Sequence, residues 1–338
     1  MKKLKVIQVG VGHDHAMYIF DSIISQTDVF EVVGFAVPDC EKVRFESQII
    51  HCINNNIPEY TVEEALDLPG LDGAIIETEE KNLTKYAYMA AKKGLHIHMD
   101  KPSGIEHKEF CELIQELKDR NLAFTTGYMY RFNPYIIEAM KLINSGKIGD
   151  VYCVEAHMDC EHVKSKREWL SQFPGGMMFF LGCHLVDLVY AILGMPKEVI
   201  PFNCATGNEG VKAEDYGMTL FRYDNGVSFI KTCASEIGGF TRRQLVICGT
   251  KGTIELRPLE CCSSTPDGRK DMFTTIRVVT NSKGDWNYDG IKKDSELFNR
   301  YDAMMLNFAQ IANGEKENPY SYDYELELNK LVLMACGK

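Results

Sequence analysis

The chain has 338 residues, 45% hydrophobic and 25% charged, with 37 Lys and Arg against 48 Asp and Glu for a net charge of −11. The length suits two globular domains, and the composition excludes a disordered chain. The acidic balance, with no basic patch, excludes nucleic acid as the main partner, because phosphate binding needs a positive surface.

The opening MKKLKVIQVGVG is not read as a signal peptide, because its apolar run is short and is broken by two glycines, His13 and Asp14. It reads instead as a strand over 5–9 and a turn into a helix from about residue 14. Strands over 32–37, 73–78, 96–99 and 123–127 then alternate with helices over 41–54, 83–93 and 108–120, the pattern of a parallel sheet with crossover helices. Beyond residue 127 the pattern changes. A helix over 134–145 leads to strands over 151–158, 218–223, 227–235, 243–248 and 252–256, and Asp224-Asn225-Gly226 marks a hairpin. This half reads as an antiparallel sheet. A helix over 181–193 ends at Gly194 and Pro196, and helices over 300–312 and 324–335 follow. The apolar stretch 177–195 contains His184 and Asp187, so no membrane span is expected. The 12 cysteines are scattered without a C-x-x-C, so reduced thiols and a cytoplasmic location are expected.

Val9-Gly10-Val11-Gly12-His13-Asp14-His15 joins the first strand to the first helix. In a dinucleotide fold the first glycine permits the tight turn, the second admits the pyrophosphate, and the helix N-terminus supplies N–H groups. Here His15 stands at the third glycine. The acid expected about 20 residues later to hold the ribose has no clear counterpart: Val37 occupies its place and Asp39 lies two positions late. No arginine adjoins them, so NAD is favoured, with NADP as the alternative.

Met99-Asp100-Lys101-Pro102 resembles the E-K-P signature of the GFO/IDH/MocA family, with Asp for Glu. Gly127-Tyr128-Met129-Tyr130-Arg131-Phe132-Asn133-Pro134 resembles its G-Y-x-x-R-F-x-P segment. The stretch 174–187, with Gly175, Gly176, Gly182, His184 and Asp187, is similar to its G-G-G-x-x-x-D-x-G-x-H-x-x-D. The resemblance implies an α/β chain with a Rossmann domain over 1–126 and an α+β domain over 127–338, the latter an open, largely antiparallel sheet for substrate binding and oligomerisation. It further implies an active site between the domains, hydride transfer between NAD(P) and a secondary alcohol of a sugar, polyol or glycoside, and dimers or tetramers formed through the open sheet.

Carried over by position, Lys101 is the catalytic lysine, Asp100 contacts the nicotinamide-side ribose and His184 is the acid/base. Gly10, Gly12, His13, Asp14, His15, Val37, Asp39, Thr78, Asp100 and Lys101 form the expected cofactor set. Oxidising a carbinol requires removal of its proton, which suits a histidine with an ordinary pKa of ~6.5. A lysine beside the same oxygen stabilises alkoxide character. Asp187, three residues after His184 on one helix face, is expected to orient the ring or contact substrate. Tyr128 and Arg131 read as junction residues that the family places beside cofactor or substrate, and Trp169 as a pocket wall or core residue.

The pattern breaks in two places. Phe180 stands where the family has an Asp one helical turn before the histidine, which points to an aromatic-bearing or less polar substrate. Thr78-Glu79-Glu80 replaces a T-P-N motif, so with Glu77 three carboxylates approach the groove; one or more must point away, be protonated or bind a hydroxyl. Two alternatives stand beside a simple dehydrogenase: a redox-recycling, glycoside-cleaving enzyme with tightly bound NAD, and a non-catalytic sensor. No metal is expected. His157, Asp159, Cys160, Glu161 and His162 match no zinc spacing, and His13, His15, His96 and His98 read as groove-lining or structural.

Overall fold

The computed structural model describes residues 2–264, 270–281 and 284–338. Contacts divide the chain into two compact units, Met1–Tyr128 with Tyr301–Asn329 and Met129–Arg300 with Lys330–Lys338.

In the first unit β1 (Leu4–Val9), α1 (Ala16–Ser25), β2 (Phe30–Ala36), α2 (Asp39–Lys42), α3 (Glu46–Asn54), β3 (Glu59–Tyr60), α4 (Val62–Leu66), β4 (Gly73–Ile76), α5 (Leu83–Lys92), β5 (His96–Met99), α6 (His107–Asp119) and β6 (Phe124–Thr126) follow in order. The six strands form a parallel sheet in the order β3-β2-β1-β4-β5-β6. The central β1 and β4 are almost wholly buried, as strands covered on both faces are; β4 is apolar throughout, and β1 carries Lys5 and Gln8 among its apolar residues. The helix expected over 41–54 is two helices, because Phe45 leaves helical geometry at φ −120° and ψ 33°. Thr61 and Glu64 cap α4 reciprocally, which fixes the start of that short helix.

The second unit contains α7 (Pro134–Asn144), β7 (Val151–Asp159), α8 (Lys164–Trp169), α9 (Cys183–Leu193), β8 (Glu198–Cys204), β9 (Tyr216–Tyr223), β10 (Gly226–Cys233), β11 (Gln244–Gly249), β12 (Gly252–Leu256), β13 (Cys261–Ser264), β14 (Lys270–Phe273), β15 (Thr275–Val279) and β16 (Ile291–Asp294). Its main sheet runs β16-β15-β12-β11-β7-β10-β9-β8. Every pairing is antiparallel except β7 with β10. The hairpin turns at Asp224-Asn225 as expected, with Tyr223 opposite Gly226. The helix expected from residue 181 starts earlier, as a π-helical turn over Met178–Gly182 that runs into α9.

The chain ends in α10 (Asp302–Ala312) and α11 (Tyr322–Ala335). The sequence reading assigned both to the second domain, yet α10 packs on α1 and β6 of the first unit. Ser22 Oγ donates to Asp302 Oδ1 at 2.7 Å, and Thr126 donates to Glu325 Oε1 at 2.9 Å. No described helix is long and apolar enough to cross a membrane. The twelve cysteines are free thiols.

Candidate functional site

The turn after β1 is built for close backbone approach. Gly10 sits at φ +92°, and a Cβ there would lie 2.3 Å from the backbone nitrogen of Thr78, so only glycine fits. At Gly12 a Cβ would lie 2.8 Å from Glu41 Oε2 and 2.9 Å from Glu79 Cγ. Thr78 is buried behind the turn, while Asp14 faces solvent.

The residues expected to take the ribose do not share this place. Val37 packs in the apolar cluster with Phe20 and Phe35. The Asp39 carboxylate is 98% exposed and pairs with Lys42 at 3.3 Å. Glu41 reaches the turn instead. Its buried carboxylate accepts the N–H of Glu79 at 2.8 Å and that of Val11. Burial, reinforced by the charge of Glu79, pushes its pKa up to about 7 against those hydrogen bonds. Sequence reasoning missed Glu41 because it sought an acid at the end of the strand; the signal was an acid one turn beyond it, on α2. The bare turn, the 3-2-1-4-5-6 sheet and Glu41 fit a dinucleotide with its pyrophosphate at Gly10 and Gly12 and a ribose at Glu41.

A second cluster gathers where β1, β4 and β5 end. His13 Nε2 lies 2.9 Å from the carbonyl oxygen of Lys101, and its Nδ1 lies 3.1 Å from Asp100 Oδ2. His15 Nδ1 lies 3.1 Å from the same oxygen. Burial works against the charge on Asp100, but the two imidazoles hold its carboxyl well below the usual range. Burial also opposes a charge on His13, yet Asp100 raises its pKa overall, whereas burial prevails at His15 and lowers it to about 4. Burial and the neighbouring Asp100 charge raise Glu77 well above a normal carboxyl, so it stays protonated and donates to Asp100. Of the three glutamates, Glu77 is thus the protonated one, and Glu79 is turned to Arg44, whose Nη1 donates at 2.7 Å. Lys101 is buried beside this cluster, and Gly127 leaves room for Asp100, whose Oδ1 would lie 2.2 Å from a Cβ there. Tyr128 is buried, His96 Nδ1 accepts the N–H of Ala123 at 2.9 Å, and His98 Nδ1 meets Thr125 Oγ1 at 2.9 Å.

In the second unit His184 is buried on α9, with its ring edge-on to Tyr130 at 5.0 Å between centroids. Asp187 was expected to orient that ring or contact substrate. Its carboxylate receives Arg131 Nε at 3.0 and 3.1 Å and Nη2 at 2.7 Å, a buried bidentate pair. Arg131 was read as a junction residue, and nothing in the sequence signalled this pairing. Tyr130 donates to Glu260, which also holds Arg243 at 2.8 Å and Arg300 at 2.5 Å. Phe180 packs edge-on to Trp169 at 5.3 Å, and Lys166 Nζ lies 3.7 Å from the Trp169 centroid and 4.6 Å from that of Phe180. Phe180 and Trp169 therefore form one aromatic wall. Among the described residues, the stretch 157–162 does not bring three metal-binding groups together, whereas His13, His15 and Asp100 do.

Residues 136–255 match the GFO/IDH/MocA C-terminal domain. The chain is 27% identical over 192 residues, 54% of its length, to a 2,7-anhydro-N-acetylneuraminate hydratase of Mediterraneibacter gnavus, and 25% identical over 229 residues, 67% of its length, to a trans-1,2-dihydrobenzene-1,2-diol dehydrogenase of Bos taurus. It spans 51% of the first relative's length and 66% of the second's. The structure of an aldose-aldose oxidoreductase from Caulobacter crescentus, complexed with glycerol, matches with a TM-score of 0.79 at 18% identity, over 99% of this chain and 98% of that one. The motifs at 99–102, 127–134 and 174–187, the parallel and mixed sheets and these matches agree in making the chain similar to the GFO/IDH/MocA oxidoreductases, with the family's C-terminal domain matched over residues 136–255.

Proposed function

We propose that this protein is an NAD(P)-dependent oxidoreductase that takes hydride from a secondary alcohol carbon of a sugar, cyclitol or glycoside. The observation that carries this reading is the bare Gly10–Gly12 turn at the end of β1, with the Glu41 carboxylate beside it. Glu41 holds the ribose hydroxyls, and its charge favours NAD over a 2′-phosphate. When bound, the nicotinamide supplies the hydride acceptor. Lys101 stabilises the developing alkoxide, and His184 takes the hydroxyl proton. The aromatic pair Trp169 and Phe180 selects a substrate with an apolar or ring-bearing group, in keeping with the dihydrobenzenediol named for one relative.

The apolar side chains of Ile200, Phe202, Leu220, Phe229 and Val246 share the outward face of the second sheet, as the strand register requires. They support a homo-oligomer formed through that face, which light scattering after gel filtration checks.

A second reading retains NAD and regenerates it within each turnover, ending in glycoside cleavage. The hydratase among the relatives favours it, because addition of water involves no net oxidation. Freshly purified protein is denatured and any released dinucleotide identified by mass; the emptied protein is then titrated with NAD and NADP. Reversible NAD binding, with absorbance at 340 nm rising on polyols or glycosides, supports the dehydrogenase; retained NAD with glycoside cleavage supports the second reading. Failure to bind either dinucleotide overturns both. Lys101→Ala is expected to lower turnover about 10²- to 10³-fold with dinucleotide still bound; unchanged turnover removes Lys101 from the chemistry.

A further inference from the structure

The His13–His15–Asp100 cluster has a geometry that a dinucleotide does not account for. His13 Nε2, 2.9 Å from the carbonyl oxygen of Lys101, is the nitrogen that carries a hydrogen. Its Nδ1 lies 3.1 Å from the backbone nitrogen of His15 and 3.1 Å from Asp100 Oδ2. In the metal-free chain a proton bridges Nδ1 and this carboxylate, and a metal ion can take its place. His15 Nδ1 brings a second imidazole nitrogen to the same oxygen at 3.1 Å and to Oδ1 at 3.2 Å, and the three donor atoms lie within 4.8 Å of one another.

We propose that His13, His15 and Asp100 bind one divalent transition-metal ion of the zinc class. With bonds of about 2.0–2.2 Å to nitrogen and oxygen, a tetrahedral ion separates neighbouring ligand atoms by roughly 3.3 Å, so the two nitrogen–oxygen edges are already near their final length. Two imidazoles and one carboxylate form the donor set of open metal sites, with a position left for water or substrate. The supporting contact is present as well: a ligating histidine usually donates its other N–H to a carbonyl or carboxylate, as His13 does to Lys101. Loading requires the ion to replace hydrogen on the ring nitrogens, as metal binding to imidazole does. The His15 side chain, 11% exposed, gives access from solvent.

The test uses the full chain stripped with a chelator and holding no dinucleotide, so its outcome is independent of the reading above. Dialysis against Zn²⁺ followed by metal analysis is expected to give one ion per chain, and Co²⁺ to give the visible absorption of a low-coordinate site, with Mg²⁺ producing neither. His15→Ala and Asp100→Asn are each expected to weaken Zn²⁺ roughly 100-fold or more, beyond the loss typical of a supporting residue, while circular dichroism stays unchanged. No binding by the unaltered chain, or equal binding by the folded variants, overturns the proposal. Should the variants fail to fold, crystals of the unaltered protein soaked in Zn²⁺ decide: an anomalous peak bonded to the three side chains supports the site, and its absence there overturns it.

Discussion

The two units bury charge in opposite ways. In the second, Arg131 lies bidentate on Asp187, and Arg243 and Arg300 enclose Glu260, so cations and anions are matched atom by atom. In the first, Glu41, Glu77, Glu79, Glu80 and Asp100 crowd the ends of β1, β2, β4 and β5, and the excess of negative charge is relieved by raised pKa values at Glu41, Glu77 and His13. A matched buried pair holds one geometry and resists change. A carboxylate cluster that holds protons is suited to ribose hydroxyls or a cation, because either can replace a proton.

The largest expected effect tests the matched side. Arg131→Met leaves Asp187 buried without its guanidinium, and breaking such a pair costs about 3–5 kcal/mol, read as a lowered urea midpoint. Removing both charges in Arg131→Met with Asp187→Leu should recover most of that loss, since the penalty comes from the stranded charge. A single variant as stable as the parent would erase the contrast between the units.

The next effect tests the unmatched side. Glu41 titrates at about 7 in the folded chain against an ordinary 4.5, so between these values the folded state binds more protons than the unfolded one. Stability therefore falls as pH rises from about 4.5 to 7, by roughly 3 kcal/mol for one group. Glu41→Gln removes that slope. Thermal unfolding at pH 5 and pH 8 should show the parent losing more stability than the variant; equal losses would mean that Glu41 is as well matched as Asp187. The same substitution should weaken NAD more than NADP.

What the sequence disclosed and what it hid follow the same division. Alternation of strand and helix patterns found five of the six parallel strands and missed β3, whose two residues Glu59–Tyr60 carry no apolar run, and Asp224-Asn225-Gly226 located the β9–β10 hairpin because its turn chemistry is local. The parallel pairing of β7 with β10 was not legible, since alternation marks a strand's faces without naming its neighbour. Gly10 and Gly12 were legible as a turn, and Glu77 as one of three carboxylates that could not all be charged. Glu41 was hidden because a four-residue helix after β2 redirects its side chain. The Arg131–Asp187 pair was hidden because it joins residues 56 positions apart, and the meeting of His13, His15 and Asp100 because it depends on the loops after β1 and β5 converging across the end of β4.

The smallest effect concerns the aromatic wall, where a cation meets aromatic rings: Lys166 lies over Trp169 and Phe180. Phe180→Leu keeps an apolar side chain of similar bulk but removes the edge-to-face pair, worth about 0.5–1.5 kcal/mol. A double-mutant cycle with Trp169→Leu should return a coupling of that size in unfolding experiments. If the wall also selects substrate, Phe180→Leu should raise KM for aryl glycosides while leaving methyl glycosides nearly unchanged. A coupling without that split in KM would make Phe180 a packing residue, and the loss of the family's aspartate there a change in the fold's interior rather than in its chemistry.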